Sequence, residues 1–449
     1  MTSIRSHRII AFLLFISLSL SAALSFSSCG KQHKHEWGEW EPYIESTCYI
    51  AGQERSLCSC GAAKYRRVAL AHEFELESVD LSEKTMTMVC PKCSTEEVRE
   101  LTSDVAHIAL ITIDDVESGL LTVERGENTF TASFADLGGG AYSFSLSEGA
   151  TSLADGSGEF SDYTLTPGYL GSYGAIAAEL YGNVVRSRNY TDPVSSAVNG
   201  GAGAGYPAAL YIAGKFGGIC TLTPTDASFG MTPGAQASIL ALAATEQTEL
   251  RNVIDTVDGS GFKIVYTADG FGDEAALQSF NEMISFVSQN DWDDFRDGLA
   301  AHVNFDRAAD EMLFACVAGD AGCVAANILW TTYDGTVWIP VPYKLDNSFE
   351  NGATPVEPDH DCNLLWEKLN LYMAEELNAR WRDLRYGPLA LDSIEGTVRA
   401  HFDRIPQELL ALDEKLASEV SESREKTVAA VMETVNSNLA RLDVFYVLQ

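Results

Sequence analysis

Five cysteines, Cys48, Cys58, Cys60, Cys90 and Cys93, share the segment 33–100 with His35 and His72. That segment is too short and too rich in turn residues to bury the apolar surface a stable fold needs, so a covalent or metal staple is expected. Two cysteines one or two residues apart on a tight turn can point both sulfurs at one ion, and two such turns complete a tetrahedron around zinc. Cys58, Cys60, Cys90 and Cys93 are therefore the first ligand set for a structural zinc, with Cys48, His35 and His72 as alternative donors. Disulfides are the rival staple if the segment lies outside the cell. Five cysteines leave one over on that reading. Nothing in the segment suggests an open catalytic position.

The order His35-Glu36-Trp37-Gly38-Glu39-Trp40, Thr47-Cys48, Gly52, Arg55, Cys58-Ser59-Cys60-Gly61 and His72 resembles a Cys/His repeat of surface proteins from gut-dwelling, clostridium-like bacteria. His72 to Cys93 looks like a diverged copy, closing in Cys90-Pro91-Lys92-Cys93.

The start of the chain points to the same compartment. Arg5 and Arg8 precede an apolar run from Ile9 to Leu24, the order of a secretory signal. The run is short for a membrane span, which takes about 20 residues. It leads into Phe26-Ser27-Ser28-Cys29-Gly30, which resembles a bacterial lipobox with Phe26 in the place usual for Leu. Residues 1–29 are thus expected to be a lipoprotein signal peptide, with Cys29 lipid-modified. The protein would then be exported and tethered to the outer face of a bacterial membrane. The net charge of −34 is uneven: residues 1–100 carry 11 basic and 13 acidic groups, so nearly all the excess lies beyond them. Such a surface repels nucleic acid. The partners expected are the membrane, through the anchor, and extracellular or surface proteins.

Residues 101–449 divide by periodicity. His107–Ile113 is an apolar run, Tyr142–Leu146 alternates with period two, and Ala209–Ile219 reads as a hairpin turning at Ala213-Gly214. Beyond 230 the spacing becomes helical, as in Ile394, Val398, Phe402, Ile405 and Leu409, or Val428, Val431, Val435, Leu439 and Leu442. Strands first and helices later imply an α+β domain with a sheet-rich lobe and a helical lobe. Cys220, Cys316, Cys323 and Cys362 lie mostly in apolar contexts expected of buried small hydrophobes. Trp330, Trp338 and Trp366 are expected in the core. Arg380, Arg382 and Arg385 read as partners in solvated ion pairs.

An ordered set of stretches resembles the spore-coat CotH-like kinase family: Val184-Val185-Arg186-Ser187-Arg188-Asn189, Gly205-Tyr206-Pro207, Thr223-Pro224-Thr225-Asp226, Asn327 to Gly335, Trp338-Ile339-Pro340, Tyr343-Lys344-Leu345-Asp346, Leu365-Trp366 and Arg380 to Arg385. The resemblance spans about 180–449, more weakly from 105. It implies an atypical protein-kinase-like fold, with a sheet-rich N-lobe and helical C-lobe, after a small zinc- or disulfide-stapled β module. It also implies ATP-dependent phosphoryl transfer to proteins with Mg or Mn, chemistry that rests on positioning and charge neutralisation.

The positions that matter depart from that pattern. Aligned without a gap, the family's catalytic Asp falls on Gly322, while Asn327 is kept and Asp320 lies two residues early. The metal-holding Asp falls on Lys344, and the second Asp of that motif survives as Asp346. The Lys of Pro-Lys-Asp is Thr225, before Asp226. An ammonium at a divalent-metal position replaces attraction by repulsion. Asp320, Asn327 and Asp346 are therefore remnants of a catalytic set, and Arg186, Arg188, Asp226 and Lys344 are the candidates for nucleotide or anion binding. The expected function is a catalytically degraded, kinase-like binding or scaffold unit. The alternative is an active atypical kinase, which alone would use ATP and Mg or Mn.

Overall fold

In a computed structural model, residues 34–446 are described apart from 103, 148–150, 154–159, 189–204, 226–239, 245–248, 258–259, 268–271, 321–326, 344, 350–355, 357–362 and 418–422. Cys29, Asp226, Gly322, Cys323, Lys344 and Cys362 lie outside the described residues. The chain forms two compact units, one containing residues up to Glu75 together with Met88–Glu97, the other Leu76–Thr87 and everything from Val98 onward.

The first unit carries the sheet β1 (Glu41–Ile44), β2 (Gln53–Leu57) and β3 (Ala63–Arg67), joined antiparallel in that order. A second three-stranded sheet follows in sequence, β4 (Glu75–Asp80), β5 (Thr85–Val89) and β6 (Glu96–Glu100). These strands are short and mostly exposed or half-buried. Ser56 in β2, Val79 in β4 and, on the cysteine turns, Cys58 and Cys90 are buried.

From Ala109 onward the second unit forms a closed barrel of seven strands: β7 (Ala109–Ile113), β8 (Leu120–Arg125), β9 (Asn128–Gly138), β10 (Ala141–Leu146), β11 (Asp162–Pro167), β12 (Tyr206–Ile212) and β13 (Lys215–Pro224). Their spatial order is β10-β11-β13-β12-β7-β8-β9, and β9 pairs with β10 to close the ring. Every pairing is antiparallel except β7 with β12. Alternate residues fill the interior, as they must in a barrel this narrow. Ile111, Ile113, Val123, Phe144, Tyr163, Leu165, Leu210 and Leu222 all point into one cluster. The outward faces of β12 and β13 are covered too, since Ala209 and Ile219 belong to the core of the helical part. The β12–β13 turn sits at Ala213-Gly214, both at positive φ (49° and 74°), as a two-residue hairpin turn demands.

This barrel corrects the expectation of a kinase-like N-lobe. The mixed α+β class holds, but the strands close on themselves and leave no open sheet edge to form such a lobe. The order of strands first and helices later also gives way. Helix α1 (Tyr173–Arg186) falls between β11 and β12, and a four-stranded sheet stands among the later helices. Its strands are β14 (Leu240–Ala244), β15 (Phe262–Thr267), β16 (Ile328–Thr332) and β17 (Trp338–Pro342), in the order β15-β14-β16-β17.

The remaining described helices are α2 (Asp273–Gln289), α3 (Trp292–Gly298), α4 (Phe305–Ala318), α5 (Leu364–Tyr372), α6 (Ala374–Arg385), α7 (Leu391–Asp403), α8 (Gln407–Ala417) and α9 (Arg424–Phe445). Their ends follow side-chain chemistry. Asn304, Asn363 and Ser423 cap the starts of α4, α5 and α9 by accepting from backbone amides, and Gly319 ends α4 at φ 69°. The apolar stripe from Ile394 to Leu409 is carried by two helices, broken between Arg404 and Pro406. Trp330, Trp338 and Trp366 are fully buried in the core, as are Cys220 in the barrel and Cys316 on α4.

Candidate metal centre

The site is built from three short pieces of the first unit. Thr47 presents Cys48: its hydroxyl accepts from the amides of Tyr49 and Ile50, and its own amide donates to the Ile50 carbonyl at 2.9 Å. The following chain passes so close that a Cβ on Gly52 would lie 2.9 Å from the Ser46 amide nitrogen, so that position must be Gly. The Thr47 carbonyl accepts from the Ala71 amide at 3.2 Å, which sets His72 beside Cys48. Cys90-Pro91-Lys92-Cys93 forms a tight turn. The Cys90 carbonyl accepts from Cys93 and Ser94, and Ser94 takes φ 56° to close the turn.

These pieces bring Cys48, His72, Cys90 and Cys93 together with their donor atoms all within 4.8 Å of one another. Cys48 Sγ lies 3.4 Å from Cys90 Sγ, and His72 Nδ1 lies 3.2 Å from Cys93 Sγ. An S–S bond is about 2.05 Å, so these two sulfurs are neighbours and not a disulfide. In a tetrahedral zinc site with Zn–S near 2.3 Å, adjacent donors stand about 3.5–3.8 Å apart, slightly wider than found here. Cys90 is fully buried and Cys48 nearly so. Its hydrogen bond to Cys90, with burial adding to it, pushes Cys48 up to about 11. Burial works against the Cys90 thiolate, but His72, the Lys92 amide and the other two cysteines outweigh it and bring Cys90 down to about 6. Hydrogen bonds with Cys90 and Cys93 hold His72 above its usual range. A hydrogen bond with Thr95, against burial, lowers Cys93 as well, so two of the three sulfurs are shifted towards the thiolate. Ionising all three sulfurs at this spacing needs a cation at their centre. The donor set is one that can hold a metal ion.

The other pair of cysteines goes elsewhere. Cys58 and Cys60 converge with His35 in a separate group, where Cys60 Sγ lies 3.3 Å from His35 Nδ1. The first ligand set read from sequence is thus divided: Cys90 and Cys93 join Cys48 and His72, while Cys58 and Cys60 join His35. Spacing shows which cysteines share a turn, whereas which groups meet depends on contacts between residues distant in sequence, such as the Thr47–Ala71 hydrogen bond.

In the second unit the kinase-motif remnants stand as follows. Asp320 is fully buried behind Gly319 and accepts a hydrogen bond from Ser348 at 3.3 Å. Asn327 is half-buried before β16, its carbonyl accepting from the Tyr343 amide at 2.6 Å. Asp346 lies exposed on the turn after Tyr343, and its Oδ1 would be 2.9 Å from a Cβ on Gly174. Among the described residues neither Asp320 nor Asp346 belongs to a group of three metal-ligating side chains. The candidate anion-binding arginines face carboxylates and amides instead. Arg188 bonds Asp306 and Asp310, and Arg186 donates to the side chain of Asn183 at 2.7 Å. Sequence reasoning missed two features here. Arg380, read as a solvated ion-pair partner, is buried against Asp310 at 2.6 Å. Glu311, the neighbour of Asp310 on α4, is fully buried, and among the described residues neither of its carboxylate oxygens is hydrogen-bonded. Burial, and then Asp320, raises the Glu311 carboxyl well above its usual range. An acidic pair inside the continuous apolar run Ala308–Ala318 was the available signal.

No protein-family model matches the chain, and no curated protein matches it either. Among the described residues, no helix is long and apolar enough to cross a membrane.

Proposed function

We propose that Cys48, His72, Cys90 and Cys93 hold a structural zinc ion that staples the small unit of an exported, lipid-anchored surface protein, and that the large unit binds partner proteins without transferring phosphate. The observation that carries this reading is the convergence of three sulfurs and one imidazole from three separate chain segments. Zinc, borderline-soft and content with four N and S donors, suits that set, and with four protein ligands it supplies structure and not a reactive water. The resemblance to spore-coat proteins enters here as surface location and protein partners, because the closed barrel replaces the kinase lobe. The non-catalytic reading is supported by Arg188 and Arg186, whose guanidinium groups are held by side chains of the protein itself.

Two measurements test this. Elemental analysis of the purified chain should find zinc, and Cys90→Ser should remove one equivalent. A metal-free chain that loses the small unit to reductant but not to chelator would replace zinc by disulfides. Incubation with labelled ATP and Mn2+ should give neither autophosphorylation nor transfer to added proteins. Transfer abolished by Asp346→Ala would establish the kinase instead.

A further inference from the structure

We propose that His35, Cys58 and Cys60 form a second, separate site for a zinc-class metal ion, one that binds more weakly and exchanges faster than the Cys48–Cys93 site. The first support is direct: the three donor atoms lie within 4.8 Å of one another, with Cys60 Sγ 3.3 Å from His35 Nδ1. The second is that both groups are made by the same local construction, repeated along the chain.

In each copy a histidine precedes the first strand of a three-stranded sheet and packs against the aromatic residue two positions later. His35 and Trp37 ring centroids are 5.0 Å apart at 26°, and those of His72 and Phe74 are 5.3 Å apart at 36°. In each copy two cysteines occupy the turn between the second and third strands. The first cysteine of each turn is buried, Cys58 at 4% and Cys90 at 0% exposure. Its amide donates across the turn, from Cys58 to the Ala62 carbonyl at 2.9 Å and from Cys90 to the Thr95 carbonyl at 3.0 Å. A residue at positive φ closes each turn, Gly61 at 85° and Ser94 at 56°. The second cysteine then meets the histidine, at 3.3 Å in one copy and 3.2 Å in the other. A scaffold that aims His72, Cys90 and Cys93 at one point aims His35, Cys58 and Cys60 at another.

The copies differ in the fourth donor. Cys48, in the β1–β2 loop of the first copy, completes the group of the second. Among the described residues no corresponding cysteine joins His35, Cys58 and Cys60. His35 and Cys60 are also exposed, whereas Cys48 and Cys90 are buried. Fewer protein donors and easier access by water both favour release. A fourth position filled by solvent or by an added thiol makes this the exchangeable site of the pair.

The test uses the whole purified chain, stripped of metal under reducing conditions and titrated with Co2+ while thiolate-to-cobalt absorption is followed. Zinc content after reloading is measured in parallel. Two equivalents are expected, the second bound at least about ten-fold more weakly, the scale on which even outer-shell partners change metal affinity. Cys60→Ser should abolish the weak equivalent and leave the tight one. His35→Gln, which leaves the cysteine turn intact, serves as the second variant and should do the same. Cys90→Ser should remove the tight equivalent, so failure of that site is seen separately. A single equivalent in the parent chain would overturn the proposal. So would two equivalents surviving both Cys60→Ser and His35→Gln, or the loss of both equivalents in each, since the groups would then not be separate sites.

Discussion

Asp310→Asn removes one negative charge from the point where two guanidinium groups meet. Asp310 on α4 is fully buried and accepts from Arg380 Nε at 2.6 Å and Nη2 at 3.0 Å, and from Arg188 Nε and Nη2 at 3.0 Å each. Arg380 Nη2 also donates to the Val184 carbonyl and the Ser187 hydroxyl, so the cluster ties the end of α1 to α4 and α6. Asparagine keeps the shape but accepts through one oxygen only. It leaves Arg380, whose side chain is 7% exposed, without a counter-charge. Removing one partner of such a pair costs about 3–5 kcal/mol, most of it the uncompensated buried charge. The control is Asp306→Ala. Asp306 bonds the same Arg188, but its side chain is 47% exposed, which limits the loss to about 1 kcal/mol. Urea unfolding followed by tryptophan fluorescence reports on the second unit, which holds Trp292, Trp330, Trp338, Trp366 and Trp381. With a slope near 3 kcal/mol per molar, the Asp310→Asn midpoint should fall by about 1 M or more. A loss within about 1 kcal/mol of the parent, or an equal loss in Asp306→Ala, would refute the account.

Two pH effects of opposite sign follow from buried groups in the same unit. Glu311 keeps its proton in the folded chain well above the usual 4.5, so the unfolded chain gives it up first; stability present below 4.5 is lost as pH rises past it. Glu311→Gln should therefore gain stability over the parent as pH rises towards neutral, and parallel urea midpoints from acid to neutral pH would sink that reasoning. His401 is buried, stacked on Tyr169 at 4.3 Å, and burial holds it below the usual 6.5 despite its hydrogen bond to Glu179. The unfolded chain then takes up the proton first as pH falls, so this stability is present above 6.5 and lost below it, at up to about 1.4 kcal/mol per pH unit. His401→Phe keeps the stack and should flatten that slope relative to the parent; an unchanged slope in thermal melts would count against it.

Much of the local structure was legible because it depends on neighbours in sequence. Period-two alternation marked β10, the Ala213-Gly214 turn marked the β12–β13 hairpin, and Val428 to Leu442 marked α9. Closure of the barrel was not legible. It depends on β12 pairing in parallel with β7, Ala208 opposite Ala109, across almost a hundred residues that include α1. Nothing in either strand names its partner. The continuous apolar stretch at β12 was a partial signal, because burial on both faces erases the alternation an exposed strand would show. Arg380 was misjudged for a related reason. A charged residue on a helix looks solvated until a partner such as Asp310, distant in sequence, is brought against it.

The cysteine module shows how far local reasoning reaches and where it stops. Each pair, Cys58 with Cys60 and Cys90 with Cys93, was correctly seen as sharing a turn, since only the chain between them decides that. Pairing the two turns around one ion assumed that copies meet through their equivalent parts. The structure instead sends Cys48, from the β1–β2 loop of the first copy, into the group of the second, 42 residues ahead at Cys90. A metal at that group therefore closes a long loop and joins two copies that are each too small to hold a core of their own. A metal at His35, Cys58 and Cys60 constrains only one copy. Loss of metal from the first group should consequently loosen both cysteine turns, whereas loss from the second should leave the Cys48–Cys93 group standing. That asymmetry comes from the exchange of a single cysteine between copies.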